Sequence, residues 1–96
     1  MIVKWAETAR RDRRGVYRYY LEDVGSPRTA DRIDAAIFSV NALLSAYPHA
    51  GRAGRIVGTR ELVIKDTPYL AVYRVADQNV MILRLFHHAQ RWPRRL

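Results

Sequence analysis

The sequence lacks cysteine altogether and has no long uninterrupted apolar stretch. Without cysteine the chain can form neither a disulfide framework nor a thiolate zinc site, which fits a reducing compartment. No segment approaches the roughly 18 apolar residues of a membrane span, and Met1 to Ala6 show no apolar run behind a basic patch, as a signal peptide would. We therefore expect a cytoplasmic protein that has no membrane contact and needs no metal or cofactor.

Acidic residues are scarce as well. The chain has nine aspartates and glutamates against 17 lysines and arginines, which gives a net charge of +8. Residues 1–48 hold eight basic and six acidic residues, whereas residues 49–96 hold nine and three. A surplus clustered in the second half suits a phosphate backbone, a ribosome or an acidic protein partner. The alternative is an arginine-rich surface that is merely solvated.

Apolar residues, in contrast, are abundant. They make up 49% of the 96 residues and include two Trp, six Tyr and two Phe. This composition is typical of a packed globule and not of a disordered chain. A chain of this length buries only about 60 to 65% of its unfolded surface. We therefore expect residues 1–96 to form one domain.

The first half shows helical spacing of apolar residues after a short opening strand. Ile2 to Trp5 reads as that strand, and Glu7 to Val24 as a first helix. Ser26 is a candidate N-cap with Pro27 at the first helical position, and the periodicity then continues to Tyr47. Two helices joined by so few residues are predicted to run antiparallel as a hairpin.

The second half begins with a glycine-rich basic segment and continues as strands. Residues 49–58 predict a mobile loop, with a short extended piece at Ile56-Val57. Runs rich in β-branched and aromatic residues then predict a three-stranded antiparallel meander, over Glu61 to Lys65, Tyr69 to Val75 and Val80 to Phe86. The fold class is thus α+β, with one sheet packed on the helix hairpin. Since the strands are apolar on both faces, Arg91 to Leu96 or a partner chain should cover the second face.

Five short segments follow one another between Gly51 and His87. They are Gly51-Arg52, Gly58-Thr59-Arg60-Glu61-Leu62, Pro68-Tyr69, Val72-Tyr73-Arg74-Val75 and Leu83-Arg84-Leu85-Phe86-His87. In this order they resemble the signature segments of the RelE/ParE toxin superfamily, and Val3-Lys4-Trp5 and Asp12 also occupy family-like positions. The resemblance implies the toxin of a bacterial type II toxin–antitoxin module, associated with plasmid stabilisation and growth inhibition. It also implies a small acidic antitoxin that forms a hetero-oligomer with the toxin.

Toxins of this superfamily stop growth either by cutting mRNA on the ribosome or by poisoning DNA gyrase. Metal-independent RNA cleavage needs a base, an acid and a cation that stabilises the phosphorane. The RNA-cutting members carry an arginine just after the aromatic residue that opens the middle strand, and this position is Leu70 here. If the chain is an endoribonuclease, its site must be rebuilt from other residues, with one histidine neutral and one protonated. The candidates are Arg60, Arg74, Arg84, His87 and His88.

Leu70 makes the chain look ParE-like rather than RelE-like, and ParE-type toxins are not regarded as nucleases. The resemblance then implies a basic docking surface for a target protein. Its candidate residues are Arg60, Lys65, Arg74, Arg84, Arg91 and Trp92. A degenerate member that binds antitoxin but has lost toxicity is the third possibility. Tyr69, Tyr73 and Leu85 are assigned to antitoxin contacts. For the two tyrosines a core position or a base-stacking platform is the alternative.

Other candidates also have structural alternatives. Arg60 and Glu61 can form a strand-edge ion pair, and Arg74 can pair with Asp77. His87 and His88, as neighbours on a strand, are expected to point to opposite faces. Whether Arg74 and Arg84 share a face depends on the last turn: three residues would bring them together, whereas two or four would separate them.

Overall fold

The structure is a computed structural model that describes residues 1–96. A five-stranded mixed sheet packs against three helices. Its strands are β1 (Ile2–Trp5), β2 (Arg52–Ala53), β3 (Arg60–Val63), β4 (Tyr69–Ala76) and β5 (Asn79–His87). The helices are α1 (Glu7–Arg18), α2 (Pro27–Phe38) and α3 (Val40–Ala46). None of these helices has the length and apolarity that crossing a membrane requires.

The strand order in the sheet is β1-β5-β4-β3-β2. The predicted α+β class and the antiparallel meander of β3, β4 and β5 are confirmed. Two strands join it at the edges: β1 runs parallel to β5, and β2 pairs antiparallel with β3. The extended piece of the glycine-rich segment is thus Arg52–Ala53, and not Ile56-Val57 as predicted.

The helix hairpin forms where its capping residues predict it. The Ser26 hydroxyl accepts a hydrogen bond from the Thr29 backbone N–H at 3.2 Å, and Pro27 occupies the first turn of α2. Two details differ from the prediction. The first helix finishes as a π-helical turn over Tyr19–Asp23, and the second is interrupted at Ser39. The Ser39 hydroxyl donates to the Ala36 carbonyl at 2.6 Å, a local bond that competes with the backbone ladder.

The main core lies between the sheet and the helices. The predicted helical stripe is buried there, including Ile33, Ile37 and Leu44. This helical stripe packs against Tyr69, Ala71 and Tyr73 of β4, which occupy alternate positions on one face of the strand.

The other sheet face, which we call the outer face, carries a smaller apolar cluster. Leu70, Val72 and Phe86 are buried there, and Trp92 packs on them with its ring centroid 4.6 Å from that of Phe86. The predicted cover by the C-terminal segment is therefore present, and Trp92 provides it.

The β4–β5 hairpin settles the relation between Arg74 and Arg84. Its turn has two residues, Asp77 and Gln78, which by itself would put the arginines on opposite faces. A bulge between Val72 and Tyr73 shifts the register, so Arg84 lies opposite Val72 while Arg74 lies opposite Met81. Both arginines therefore start from the outer face.

Candidate functional site

Leu70 stands where RNA-cutting toxins are expected to carry arginine, and here it is a core residue. Its side chain is only 4% exposed and packs with Val72 and Phe86 beneath Trp92. Leucine at this position therefore makes apolar contacts and leaves no empty cleft. The two concavities of the molecule lie elsewhere, against the helix hairpin and around Tyr47 to Ala50.

Arg84 is tied to the first helix. Its guanidinium donates to the Asp12 carboxylate at 2.7 and 3.3 Å, and the same carboxylate accepts the Leu85 backbone N–H at 3.0 Å. Both side chains of the ion pair are mostly buried. Because β1 pairs only with the first part of β5, Asp12 caps the edge of β5 that β1 leaves uncovered.

The other predicted cations have separate surroundings. Arg60 donates to the Gly51 carbonyl at 2.8 Å and does not pair with Glu61. Arg74 is exposed and reaches only the Gly58 carbonyl, at 3.4 Å, and not Asp77. Lys65 and Arg91 are exposed, Lys65 in the β3–β4 turn and Arg91 beyond the last strand.

His87 and His88 lie together at the end of β5. Their rings stack with centroids 4.7 Å apart, so the expectation that they point to opposite faces is wrong. The reason is that β5 ends at His87 and the chain turns there. The His87 ring also packs edge-on against Tyr69, on the helix-covered face, and its Nδ1 accepts the Ala89 backbone N–H at 3.0 Å. The arginines of the outer face and the two histidines are thus not brought into one site.

Tyr69, Tyr73 and Leu85 are part of the core, at 7%, 0% and 4% exposure. The Tyr73 hydroxyl accepts the buried Gly51 N–H at 2.8 Å. Burial raises the pKa of Tyr69, and the hydrogen bond with the Tyr20 hydroxyl raises this pKa further. The phenol of Tyr69 is therefore protonated at neutral pH. These three side chains offer almost no surface to an antitoxin in this conformation.

Glu61 is the buried acid of the outer face, at 3% exposure. Burial alone would raise the pKa of Glu61, but the Arg55 backbone N–H and the Arg55 and Arg52 side chains, which donate to it, lower this pKa below its usual range. The bond from the Arg55 N–H measures 2.8 Å and that from Arg52 measures 3.1 Å. Glu61 is therefore an ionised anchor and not a proton donor.

Arg55 connects this anchor to the C-terminal segment. Its guanidinium carbon lies 3.6 Å from the centroid of the Trp92 ring, a cation–π contact. The predictions from sequence included Trp92 but missed Arg52 and Arg55, whose position beside Glu61 depends on the pairing of β2 with β3.

A groove of about 650 Å³ lies along the helix hairpin. Apolar and aromatic side chains, four arginines of α1 and two acids line it. They are Trp5, Tyr17, Leu21 and Phe38, then Arg10, Arg13, Arg14 and Arg18, then Glu22 and Asp34, with Asn41 beside them. Arg13 lies between Trp5 and Phe38 and pairs with Asp34 at 2.7 Å. Phe38 is 60% exposed. The positions 10, 14, 17, 18 and 21 follow helical spacing. The sequence indicates a solvated face for these arginines, with attraction of acid-rich partners as the alternative, and does not predict the groove.

The candidate cations and histidines of an endoribonuclease are not gathered around one point. No buried side-chain nitrogen or oxygen lacks a hydrogen-bond partner. Arg60 donates to the Gly51 carbonyl, and His87 accepts the Ala89 N–H. What remains exposed is a set of arginines beside aromatic residues, on the outer face and along the groove.

The comparisons with known proteins agree with this fold. Residues 3–92 match the family model described as the ParE toxin of the type II toxin–antitoxin system parDE. The toxin candidate Y4kP of Sinorhizobium fredii is 38% identical over 91 residues, which cover 95% of this chain and 92% of Y4kP.

Two solved structures extend the likeness to three dimensions. A chain of the chromosomal ParDE system from P. aeruginosa superposes with a TM-score of 0.79 at 29% identity, covering 91% of this chain and 95% of that one. A chain of the RelBE2 toxin–antitoxin complex from Mycobacterium tuberculosis gives 0.65 at 29% identity, with 93% and 92% covered. With nearly its whole length matched by the family model, this chain belongs to the ParE family, the toxins of type II toxin–antitoxin systems.

Proposed function

We propose that this toxin acts by binding DNA gyrase, without a catalytic step of its own, and that a cognate acidic antitoxin neutralises it. The observation that carries the proposal is the burial of Leu70 beneath Trp92. It fills the place of the expected catalytic arginine with apolar contacts, which cannot stabilise a phosphorane. The choice of gyrase follows the resemblance to ParE-type toxins.

Charge pairing supports the absence of catalysis. Of the three strand arginines considered as catalytic, Arg84 is neutralised by Asp12 and Arg60 is used to hold Gly51. A metal-independent nuclease would need these cations, together with a base and an acid, around one phosphate. The remaining exposed arginines suit contact with an acidic protein surface.

The antitoxin is assigned to the groove of the helix hairpin. Its aromatic side chains and its arginines fit an amphipathic segment that carries acidic residues. Of the four arginines only Arg10 makes no ion pair, and the other three are paired with acids of the helix hairpin. The groove replaces Tyr69, Tyr73 and Leu85 as the proposed antitoxin contact, since those side chains are buried.

Induction of the toxin without antitoxin tests the proposed action in cells. Transcript ends are followed by primer extension, and DNA breaks and the SOS response are followed in parallel. We expect DNA damage and intact transcripts. Codon-phased cleavage without DNA damage would instead support a ribosome-dependent mRNA endonuclease, with ribosome and mRNA as its partners.

Replacing His87 or His88 by glutamine should leave toxicity nearly unchanged, within about twofold, because the proposed action needs no proton transfer. His88 is exposed and His87 half-buried, so neither change should unfold the protein. If either histidine acted as acid or base, its replacement would instead lower the rate of RNA cleavage by about 10² to 10⁴-fold. The measurement is the inducer concentration that halves the growth rate, at matched toxin levels on an immunoblot. A loss of toxicity for either variant, with the protein still folded, speaks for catalysis.

Replacing Phe38 by aspartate should lower the affinity of the toxin for its cognate antitoxin by about tenfold or more. The change removes an aromatic contact from the groove and puts a negative charge opposite the acidic antitoxin. Calorimetric titration measures the affinity. The control is Tyr47→Asp, which changes another exposed aromatic residue outside the groove. Equal affinities for the two variants would refute the assignment of the groove.

A further inference from the structure

Val57 is the most exposed apolar side chain of the molecule, at 95%. It stands at the tip of the loop Gly54–Thr59, between β2 and β3. A single exposed valine needs no explanation by itself. What distinguishes this one is the number of groups that hold its loop in one conformation.

Several hydrogen bonds fix the loop although its tip packs on nothing. The Gly54 N–H donates to the Thr59 carbonyl at 2.8 Å, and the Thr59 hydroxyl donates to the Ile56 carbonyl at 2.6 Å. The Arg55 N–H is bound by the buried Glu61 carboxylate. The loop is therefore hydrogen-bonded both within itself and to the Glu61 side chain of the sheet.

Two glycines make this shape possible. A Cβ at Gly54 would overlap the Thr59 side chain and come within 2.9 Å of its carbonyl oxygen. Gly58 has a φ of +81°, a conformation that side chains with a Cβ rarely adopt. The sequence thus specifies the loop at both of its ends.

The surroundings of the tip are basic and aromatic. Arg74 contacts the Gly58 carbonyl, and Arg55 lies on Trp92. Arg52 and Arg55 share the single carboxylate of Glu61, so with Arg74 the surface keeps a net positive charge. We call this set, Arg52, Arg55, Val57, Arg74 and Trp92, the loop–tail surface.

We propose that the loop–tail surface is the target-binding surface of the toxin, and that Val57 enters an apolar pocket rimmed by acidic residues on the target protein. The inference rests on the proposed function, since it takes a protein as the target. Arginine and tryptophan are the residue types that contribute most at protein interfaces. A loop whose backbone is held by hydrogen bonds loses less entropy on binding than a free loop. Of the cations predicted from sequence, Arg74 belongs to this surface, while Arg60 and Arg84 are held elsewhere.

The test compares Val57→Asp and Arg74→Glu with Val24→Asp and Arg28→Glu, which make the same changes at exposed positions remote in sequence, near the start of α2. Each purified variant is assayed for inhibition of DNA gyrase supercoiling, for antitoxin affinity and for thermal unfolding. We expect the concentration for half-inhibition to rise about tenfold or more for both loop–tail variants. Antitoxin affinity and unfolding temperature should stay unchanged, and the controls should behave as the wild type. If Val57→Asp lowers the unfolding temperature, Val57→Ser replaces it.

If Val57→Asp inhibits gyrase at the same concentration as the wild type, the inference is overturned, while the proposed function stays intact. If the wild type itself does not inhibit gyrase, the proposed target is wrong. Growth inhibition by the same variants then tests whether the loop–tail surface binds a different target. Loss of toxicity in Val57→Asp with full toxicity in Val24→Asp would then support the surface with another acidic protein as target. Full toxicity in both would overturn it.

Discussion

Replacing Leu70 by arginine, the residue expected in RNA-cutting relatives, should destabilise the toxin and should not create a nuclease. The free energy of unfolding is expected to fall by about 3 kcal/mol or more. The guanidinium would have to enter the apolar cluster with Phe86 and Val72 or displace Trp92. The acid of this face, Glu61, is already bound by Arg52 and Arg55. Urea denaturation measures the loss, and primer extension on induced cells should show no cleavage.

Leu70→Met is the matched control, because it keeps the volume and the apolar character and should cost less than about 1.5 kcal/mol. Two results would contradict this interpretation of the outer face. One is a Leu70→Arg protein as stable as Leu70→Met; the other is codon-phased cleavage gained with the arginine. Either would mean that Trp92 leaves the sheet easily and that a catalytic cleft lies beneath it.

Replacing Asp12 by alanine should lower the free energy of unfolding by about 2 to 3 kcal/mol. The change leaves the guanidinium of Arg84 without its carboxylate and the Leu85 N–H without an acceptor, at the edge of β5 that β1 does not reach. The unfolding free energy of Asp12→Asn should lie between those of the wild type and Asp12→Ala, because the amide oxygen can still accept the Leu85 N–H. Chemical denaturation of the purified variants gives the three values.

Asp23→Ala is the control for this effect, because Asp23 is exposed and makes no ion pair. It should change the unfolding free energy by less than about 0.5 kcal/mol. A loss for Asp12→Ala no greater than that of Asp23→Ala would show that Asp12 does not hold the first helix to the sheet.

Local chemistry explains why much of the fold could be predicted. The Ser26-Pro27 start of α2 and the spacing of Ile33 and Ile37 belong to one helix and its cap, so neighbouring residues suffice to predict them. The meander follows for the same reason, since turn residues such as Asp66 and Asp77, both with positive φ, separate apolar runs.

The features that were missed depend on residues distant in sequence. The parallel pairing of Ile2–Trp5 with β5 joins segments separated by the whole of the helix hairpin. The bulge beside Val72 cannot be read from an apolar strand, and yet it puts Arg84 on the outer face. The stacking of His87 on His88 depends on where β5 ends, and strand ends are the least secure part of a sequence-based prediction.

The sequence predicts which residue types make up the candidate site, but not how they are arranged in space. The sequence places many arginines in the second half, and Trp92 near its end. It does not tell which arginines are already paired. Arg84 is neutralised by an aspartate 72 positions away, and Arg55 is held by Glu61 through a β2–β3 pairing of only two residues on each strand. Pairing decides which charges remain for a partner.

The most direct test of a toxin that binds its target without cleaving RNA uses the purified protein in two reactions. One measures supercoiling by DNA gyrase, and the other measures the integrity of mRNA on translating ribosomes. We predict that the toxin inhibits gyrase in proportion to its concentration, that antitoxin relieves the inhibition, and that the mRNA stays intact. Codon-phased cleavage of the mRNA, with supercoiling unaffected, would contradict the account.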